Sequence, residues 1–191
     1  AEAVILNVWS PSQVRTLFAE LYDRVRQFDS AAEFEGVIIQ PMVQRMGYEL
    51  LVGTKKDPQF GSVVLFGAGG VNTELLKDCS VGFPPLNQVL ARRLMEKTTI
   101  YQHLVSNGDA RNVKPLEELL VRFSQLVVDF PEIKEMDVNP IIMFGDRVVA
   151  VDARITVDAE QIEHGSHPHG HLVIVPYPSK YVTDWKMEDG T

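Results

Sequence analysis

A single cysteine, short apolar runs and a deficit of basic residues limit what this 191-residue chain can be. Cys79 alone cannot close an internal disulfide, which excludes a disulfide-stapled secreted scaffold and leads to the expectation of a reducing, cytoplasmic setting. No apolar stretch approaches the ~18 to 20 residues of a membrane helix, and Val37-Ile38-Ile39 is broken at Gln40-Pro41. The 18 Lys and Arg against 26 Asp and Glu leave a net charge of −8. That balance excludes a protein whose main work is coating nucleic acid or an anionic membrane, because both need a positive surface field. A local site for an anion is still allowed. With no basic n-region followed by an apolar stretch, the start of the sequence is not expected to be a signal peptide, and with no internal repeat visible a solenoid is not expected.

At ~150 residues per domain the length suits one large domain, or one domain with a tail. The chain starts directly on a strand-like run at residues 4–8, as expected of a piece cut from a longer chain. Ser10-Pro11 is a helix start, a hydroxyl cap followed by a proline whose missing N–H costs nothing at the first helical position. Val14, Leu17, Phe18, Leu21, Val25 and Phe28 then recur at helical spacing, predicting an amphipathic helix lying on a core. From residue 34 the pattern turns to β. Strands are expected over 36–43, 48–55 and 62–66, joined by Met46-Gly47 and by Asp57-Pro58-Gln59-Phe60-Gly61, which predicts an antiparallel meander. Pro41 cannot donate to a ladder, so the first of these runs is an edge or leaves the sheet there.

Gly67-Ala68-Gly69-Gly70 has neither the ending of a P-loop nor the spacing of a dinucleotide fold. It is read as a crossing where Cβ atoms would clash, with a phosphate cradle as the alternative. An extended segment over 71–81 ends at Pro84-Pro85. Helices are expected around residues 86–94, over 100–105, and from Pro115 to a stop at Pro131. Strands return over 133–144 and 147–157. Four histidines between His164 and His171 sit in loop composition with no carboxylate or thiolate beside them, so no metal site is expected there.

The stretch richest in chemistry is Glu135-Met136-Asp137-Val138-Asn139-Pro140, taken with Val151-Asp152-Ala153-Arg154. With a side-chain period of two, Glu135, Asp137 and Asn139 share a face while Met136 and Val138 point to the core. Gly145-Asp146 suits a type II′ hairpin turn. If the turn lies there, Phe144 faces Arg147, Asn139 faces Asp152, and Asp137 faces Arg154. Directly opposed residues have Cβ atoms about 4.5 to 5.5 Å apart, so two oxygen ligands could share one cation. Asp and Asn oxygens are hard ligands suited to Mg²⁺, which takes one or two protein ligands plus phosphate and water oxygens. Arg154 can meet phosphate with a planar fork of donors. The pattern describes a Mg²⁺-nucleotide site, and a solvated hairpin with one Asp–Arg pair is the plainer alternative.

Gln40-Pro41-Met42-Val43, then Gly47-Tyr48-Glu49-Leu50-Leu51-Val52-Gly53, then Gly69-Gly70-Val71 with Glu74, and finally Asp137-Val138-Asn139-Pro140 with Val151-Asp152-Ala153-Arg154-Ile155 follow in a collinear order. This order resembles the ATP-grasp domain of ADP-forming acyl-CoA synthetases, relatives of the succinyl-CoA synthetase β subunit. The resemblance runs from about residue 3 to 157. It implies an α+β fold, the C-terminal subdomain of an ATP-grasp, with a largely antiparallel sheet and packed helices. Residues 1–157 would be an ATP-grasp domain lacking its N-terminal subdomain, and 158–191 a tail toward a further domain.

The resemblance further implies ATP or ADP with Mg²⁺. Gln40, Pro41, Met42 and Val43 would hold adenine and Glu49 would reach the nucleotide. Asn139 and Asp152, with Asp137 beside them, would hold the metal. Arg154 and Glu74 would be the catalytic residues near the phosphates. The implied reaction interconverts acyl-CoA, ADP and phosphate with acid, CoA and ATP through a phosphohistidine on another domain. The implied partners are CoA-binding and phosphohistidine domains, in the same chain or another subunit. None of the five histidines lies in a matching phosphohistidine motif, and His103 is read as a surface residue. Residues 175–191 resemble the linker that joins this domain to a GNAT-type acetyltransferase in some bacterial members. Two rivals stand beside this reading: an ATP-grasp ligase joining a carboxylate to an amine or thiol, and a non-catalytic nucleotide sensor for a fused acetyltransferase.

Overall fold

The computed structural model describes residues 3–43, 47–70, 78–106 and 113–158, together with Leu172. The chain divides into two units, Ala1–Gln44 and Arg45–Thr191.

The first unit is built on α1 (Pro11–Phe28). Its start is the expected cap: Ser10 Oγ accepts the Gln13 N–H at 3.2 Å, and Gln13 Oε1 accepts the Trp9 and Ser10 N–H groups at 2.8 and 3.2 Å. This reciprocal arrangement satisfies donors that the first helical turn leaves open. Val14, Leu17, Leu21 and Val25 are half-buried along one stripe. Phe34 meets Phe18 and Tyr22 edge-on, each at a ring separation of 5.4 Å. The helix is where the periodicity puts it, yet none of its residues is fully buried, so the expectation that it lies on a core is corrected.

The strands expected over residues 4–8 and 36–43 are also corrected, since both segments are irregular. Asn7 (φ 59°) and Gly36 (φ 141°) take dihedrals outside the β region and interrupt each run, and no partner strand pairs with either among the described residues. Ile38 is 88% exposed.

Among its described residues the second unit holds six antiparallel strands: β1 (Tyr48–Asp57), β2 (Gly61–Ala68), β3 (Cys79–Gly82), β4 (Ile133–Phe144), β5 (Arg147–Ala150) and β6 (Ala153–Val157). They lie in the order β3-β2-β1-β4-β5, with β6 also paired to β4. Helices α2 (Gln88–Glu96), α3 (Thr99–Ser106) and α4 (Lys114–Asp129) complete the unit among the described residues. The expected β–helix–β order is therefore present, and the antiparallel meander is present as β1-β2-β3, without the strand expected over 36–43. The β1–β2 turn is held by Asp57 Oδ1, which accepts the Gln59 and Phe60 N–H groups at 2.8 and 2.9 Å.

One face of the sheet is apolar. Leu50, Val52, Val64, Phe66, Met136 and Val138 pack in one core with Leu94, Met95, Leu104, Leu116, Leu120 and Val127 of the helices. Each side chain of this size contributes about 1.5 to 3 kcal/mol on full burial. Polar ties fix the helices to the sheet and to each other. Ser80 Oγ on β3 donates to the Leu94 carbonyl at 2.6 Å. Asp78 caps α3, its two carboxylate oxygens accepting the Thr99 and Ile100 N–H groups at 2.7 and 2.8 Å. Arg92 Nε of α2 donates to Glu117 Oε1 of α4 at 2.6 Å, and that carboxylate is buried. Among the described residues no helix is long and apolar enough to cross a membrane.

Candidate functional site

The long strand β4 positions the site, and its side-chain pattern contains a change of phase. Between residues 136 and 143 the side chains that join the core are Met136 and Val138, then Ile141 and Met143, so the core-facing set passes from even to odd positions, with Ile142 buried outside that cluster. The extra residue this requires is at Asn139-Pro140, where two residues of β4 oppose Leu51 alone on β1, between the pairs Leu50↔Ile141 and Val52↔Val138. Pro140 has no N–H for the ladder, which is tolerated at a bulge.

On its other edge β4 pairs with the returning hairpin. Gly145 has φ 56° while Asp146 keeps a negative φ, as a type II′ turn requires. Phe144 pairs with Arg147, and Asp137 pairs with Arg154. Between β5 and β6 the Asn139 N–H donates to the Asp152 carbonyl at 3.1 Å, and the Val151 N–H to the Pro140 carbonyl at 3.0 Å. Asn139 thus stands opposite Asp152, and the expected register holds from the turn to the pair Glu135–Thr156, shifting by one residue before Ile133–Val157. The return strand, expected as one run, divides into β5 and β6 at Val151 and Asp152.

The face opposite the core collects the polar groups. Asp137 and Asn139 are half-buried, while Asp152 and Arg154 are exposed. Asp137 lies over Gly53 of β1, where an added Cβ would come within 3.8 Å of Asp137 Oδ1. Burial pushes the Asp137 carboxyl above its ordinary value; Arg154 pulls it down, and Glu135 and Asp152 add to the rise.

A third strand end reaches the same residues. The Gly69 N–H donates to the Glu49 carbonyl at 2.8 Å, extending the β1–β2 ladder by one pair. The Gly70 N–H then donates to Asn139 Oδ1 at 2.8 Å, across 69 positions of sequence. Gly67, Gly69 and Gly70 form the close crossing expected of them: an added Cβ would lie 2.2 Å from the Asp78 carbonyl oxygen, 2.3 Å from that of Leu50, and 2.1 Å from Glu49 Oε2 respectively. The structure therefore brings Glu49, Asp137, Asn139, Asp152 and Arg154 to one region around the centre of β4. Neither the bond from Gly70 to Asn139 nor the carboxylate cap at Asp78 was anticipated from the sequence.

Gln40, Pro41 and Met42 lie exposed on the irregular end of the first unit, with Val43 half-buried. Glu74, the histidines between 164 and 171, and the tail from 159 onward except Leu172 lie outside the described residues. His103 is exposed, as expected. On the core side of the hairpin a groove of about 700 Å³ opens between α4 and β4–β5, lined by Leu119, Phe123, Val138, Ile141 and Val148. Glu118, Arg122, Asp146 and Arg147 line it as well, and it shares none of Asp137, Asn139, Asp152 and Arg154.

The donor set suits a hard cation. Among the described residues no three of His, Cys, Asp and Glu converge on a common point. A cation beside Asp137, Asn139 and Asp152 would take at most two carboxylates and one amide oxygen from the protein, and would complete its shell with phosphate or water. Mg²⁺ is bound in this way.

An antiparallel α+β sheet with carboxylates, an amide and a guanidinium gathered on its open face defines a nucleotide-handling class of domain, and residues 1–157 match the ATP-grasp domain family. The chain belongs to that family, in the branch that includes the β subunits of ADP-forming acetate–CoA ligases. The β subunit of acetate–CoA ligase [ADP-forming] II from Pyrococcus furiosus is 34% identical over 160 residues, 81% of this chain and 67% of that subunit. A trans-feruloyl-CoA synthase of an unknown prokaryotic organism is 38% identical, over 83% of this chain but 23% of that longer protein. Acetyl-coenzyme A synthetase 1 of Ca. Korarchaeum cryptofilum matches with a TM-score of 0.68 and 29% identity, covering 81% of this chain and 68% of that one. It was solved with coenzyme A and Mg-AMPPCP, its phosphohistidine segment pointing towards the nucleotide-binding site.

Proposed function

We propose that this chain is the nucleotide-binding part of an ADP-forming acyl-CoA synthetase. In that reaction acyl-CoA, ADP and phosphate interconvert with acid, CoA and ATP. The observation that carries the reading is the hairpin register, which sets Asn139 opposite Asp152 and Asp137 opposite Arg154 on the face that Glu49 also reaches. Asp137, Asn139 and Asp152 would hold Mg²⁺, Arg154 would meet the phosphate oxygens and Glu49 would contact the nucleotide, while an adenine-binding role for Gln40 to Val43 rests on the sequence alone. Glu74 is a further phosphate-side residue on the grounds of sequence alone.

The work of these residues is positioning and charge balance. A phosphoryl group passes between a histidine nitrogen on another domain and the terminal oxygen of ADP, one N–P bond breaking as one P–O bond forms. Little covalent chemistry falls to the ATP-grasp residues. A bound Mg²⁺ supplies charge neutralisation on the phosphate oxygens. Arg154, fixed opposite Asp137 by the ladder, presents donors in a plane that matches a phosphate edge. The half-buried setting of Asp137 and Asn139 limits competition from water for the same oxygens. The partners that follow are CoA-binding and phosphohistidine domains, and the setting is the cytoplasm. An acetyltransferase beyond the tail is a further part of the proposal that rests on the sequence of 175–191 alone.

Calorimetry with ADP in the presence and absence of Mg²⁺ tests the site. The chain is expected to bind Mg-ADP more tightly than ADP, and Asn139→Ala/Asp152→Ala to lose that difference. Equal, metal-independent binding by both proteins would remove the metal assignment.

A further inference from the structure

The bond from Gly70 to Asn139 joins two parts of the sheet that share no ladder. Asn139 sits on the bulge of β4, where the ladder to β1 is interrupted, while Gly70 follows the last paired residue beyond β2. A carboxamide can present either its oxygen or its nitrogen to a site, and the backbone N–H of Gly70 can donate only to the oxygen. With Gly70 donating at 2.8 Å, Asn139 Oδ1 is turned toward the Gly70 end of the polar face and Nδ2 is turned away. An sp² amide oxygen has two lone pairs, so one remains for a cation.

Gly70 is also the residue that the position demands. Its φ of 89° is one that a side-chain-bearing residue rarely adopts, and an added Cβ would fall 2.1 Å from Glu49 Oε2. The Glu49 carboxylate ends a flexible side chain and can move aside, so a substitution here acts through the φ it must adopt, which shifts the N–H that holds Asn139. One bond between two chain segments therefore forms the latch: Gly70 beyond β2 and Asn139 on β4.

We infer that Gly70 is a positioning residue for the metal-binding carboxamide, its N–H selecting and holding the orientation in which Asn139 Oδ1 faces Mg²⁺. The inference rests on the nucleotide reading above for its metal half, while the latch is a property of the chain without ligand. Hydrogen bonds that orient a metal ligand from behind typically change metal affinity by about 10- to 100-fold when removed.

Two measurements on the 191-residue chain test it. Without nucleotide or metal, the Gly70 amide is followed by NMR hydrogen exchange in the wild type and in Asn139→Ala and Asn139→Asp. Exchange is expected to speed up at least tenfold in Asn139→Ala and to stay slow in Asn139→Asp, which keeps an acceptor oxygen. Equal exchange in all three overturns the latch. Calorimetry with Gly70→Ala then compares ADP with Mg-ADP. The inference requires a 10- to 100-fold loss for Mg-ADP against a change below about threefold for metal-free ADP. Unchanged Mg-ADP binding, or an equal loss for both ligands, overturns the positioning role. Absence of any Mg²⁺ effect in the wild type would overturn the nucleotide-site reading and the metal half with it, a result kept separate by the ligand-free exchange measurement.

Discussion

Replacing Asp78 by alanine removes the single carboxylate that closes the N-terminus of α3. That helix has eight residues, too few to hold itself in water, so its position depends on its ends and on the buried Leu104. Both Asp78 oxygens are engaged, with Thr99 N–H at 2.7 Å and Ile100 N–H at 2.8 Å. Loss of a side-chain cap costs about 0.5 to 2 kcal/mol, and loss of a negative charge at a helix N-terminus costs a further ~0.3 to 1 kcal/mol at surface exposure. Asp78→Ala is therefore expected to lower stability by about 2 kcal/mol. With a urea m-value of about 2 kcal/mol/M, the unfolding midpoint falls by about 1 M. Asp78→Asn keeps one acceptor oxygen and is expected to recover about half of the loss. Circular dichroism across a urea titration reads both variants. An Asp78→Ala midpoint within about 0.2 M of the wild type would show that water replaces the cap without penalty, and the account of how α3 is fixed would fail.

Phe66 is fully buried at the centre of the sheet, and Phe66→Ala is expected to cost about 3 to 5 kcal/mol, read as a lowered urea midpoint. Gly145→Ala meets no neighbour within 4 Å but must adopt φ 56°, so thermal unfolding should show a loss of about 1 to 2 kcal/mol from the backbone alone. Cys79 is exposed on β3, and a maleimide should label it stoichiometrically in the folded protein, as read by intact mass.

The residues differ in how much of this arrangement they make legible. The hairpin could be read because two local signals agree, a Gly-Asp turn and alternating side chains on either side, and together they fix which residues face each other. The bulge was also written in the sequence, as the passage of apolar residues from Met136 and Val138 to Ile141 and Met143, but a period counted over one short run does not reveal a change of phase. The periodicity of α1 identifies its apolar stripe and cannot say what covers it. The runs at residues 4–8 and 36–43 have strand composition, yet a strand exists only where a partner accepts and donates, and composition does not supply the partner. The bond from Gly70 to Asn139 and the cap of Asp78 on α3 join residues that only the folded topology brings together. Alternation, capping and turn chemistry are local; these contacts are not.

The central claim, that the face bearing Asp137, Asn139, Asp152 and Arg154 holds the phosphates of a nucleotide through a divalent cation, is tested most directly by replacing Mg²⁺ with paramagnetic Mn²⁺. Titrating Mn-ADP into isotopically labelled protein should broaden the amide signals of residues 137–139 and 152–154 first, together with Gly70, and Asn139→Ala/Asp152→Ala should abolish that pattern. Broadening centred on other residues in the wild type, or an unchanged pattern in the double variant, would contradict it.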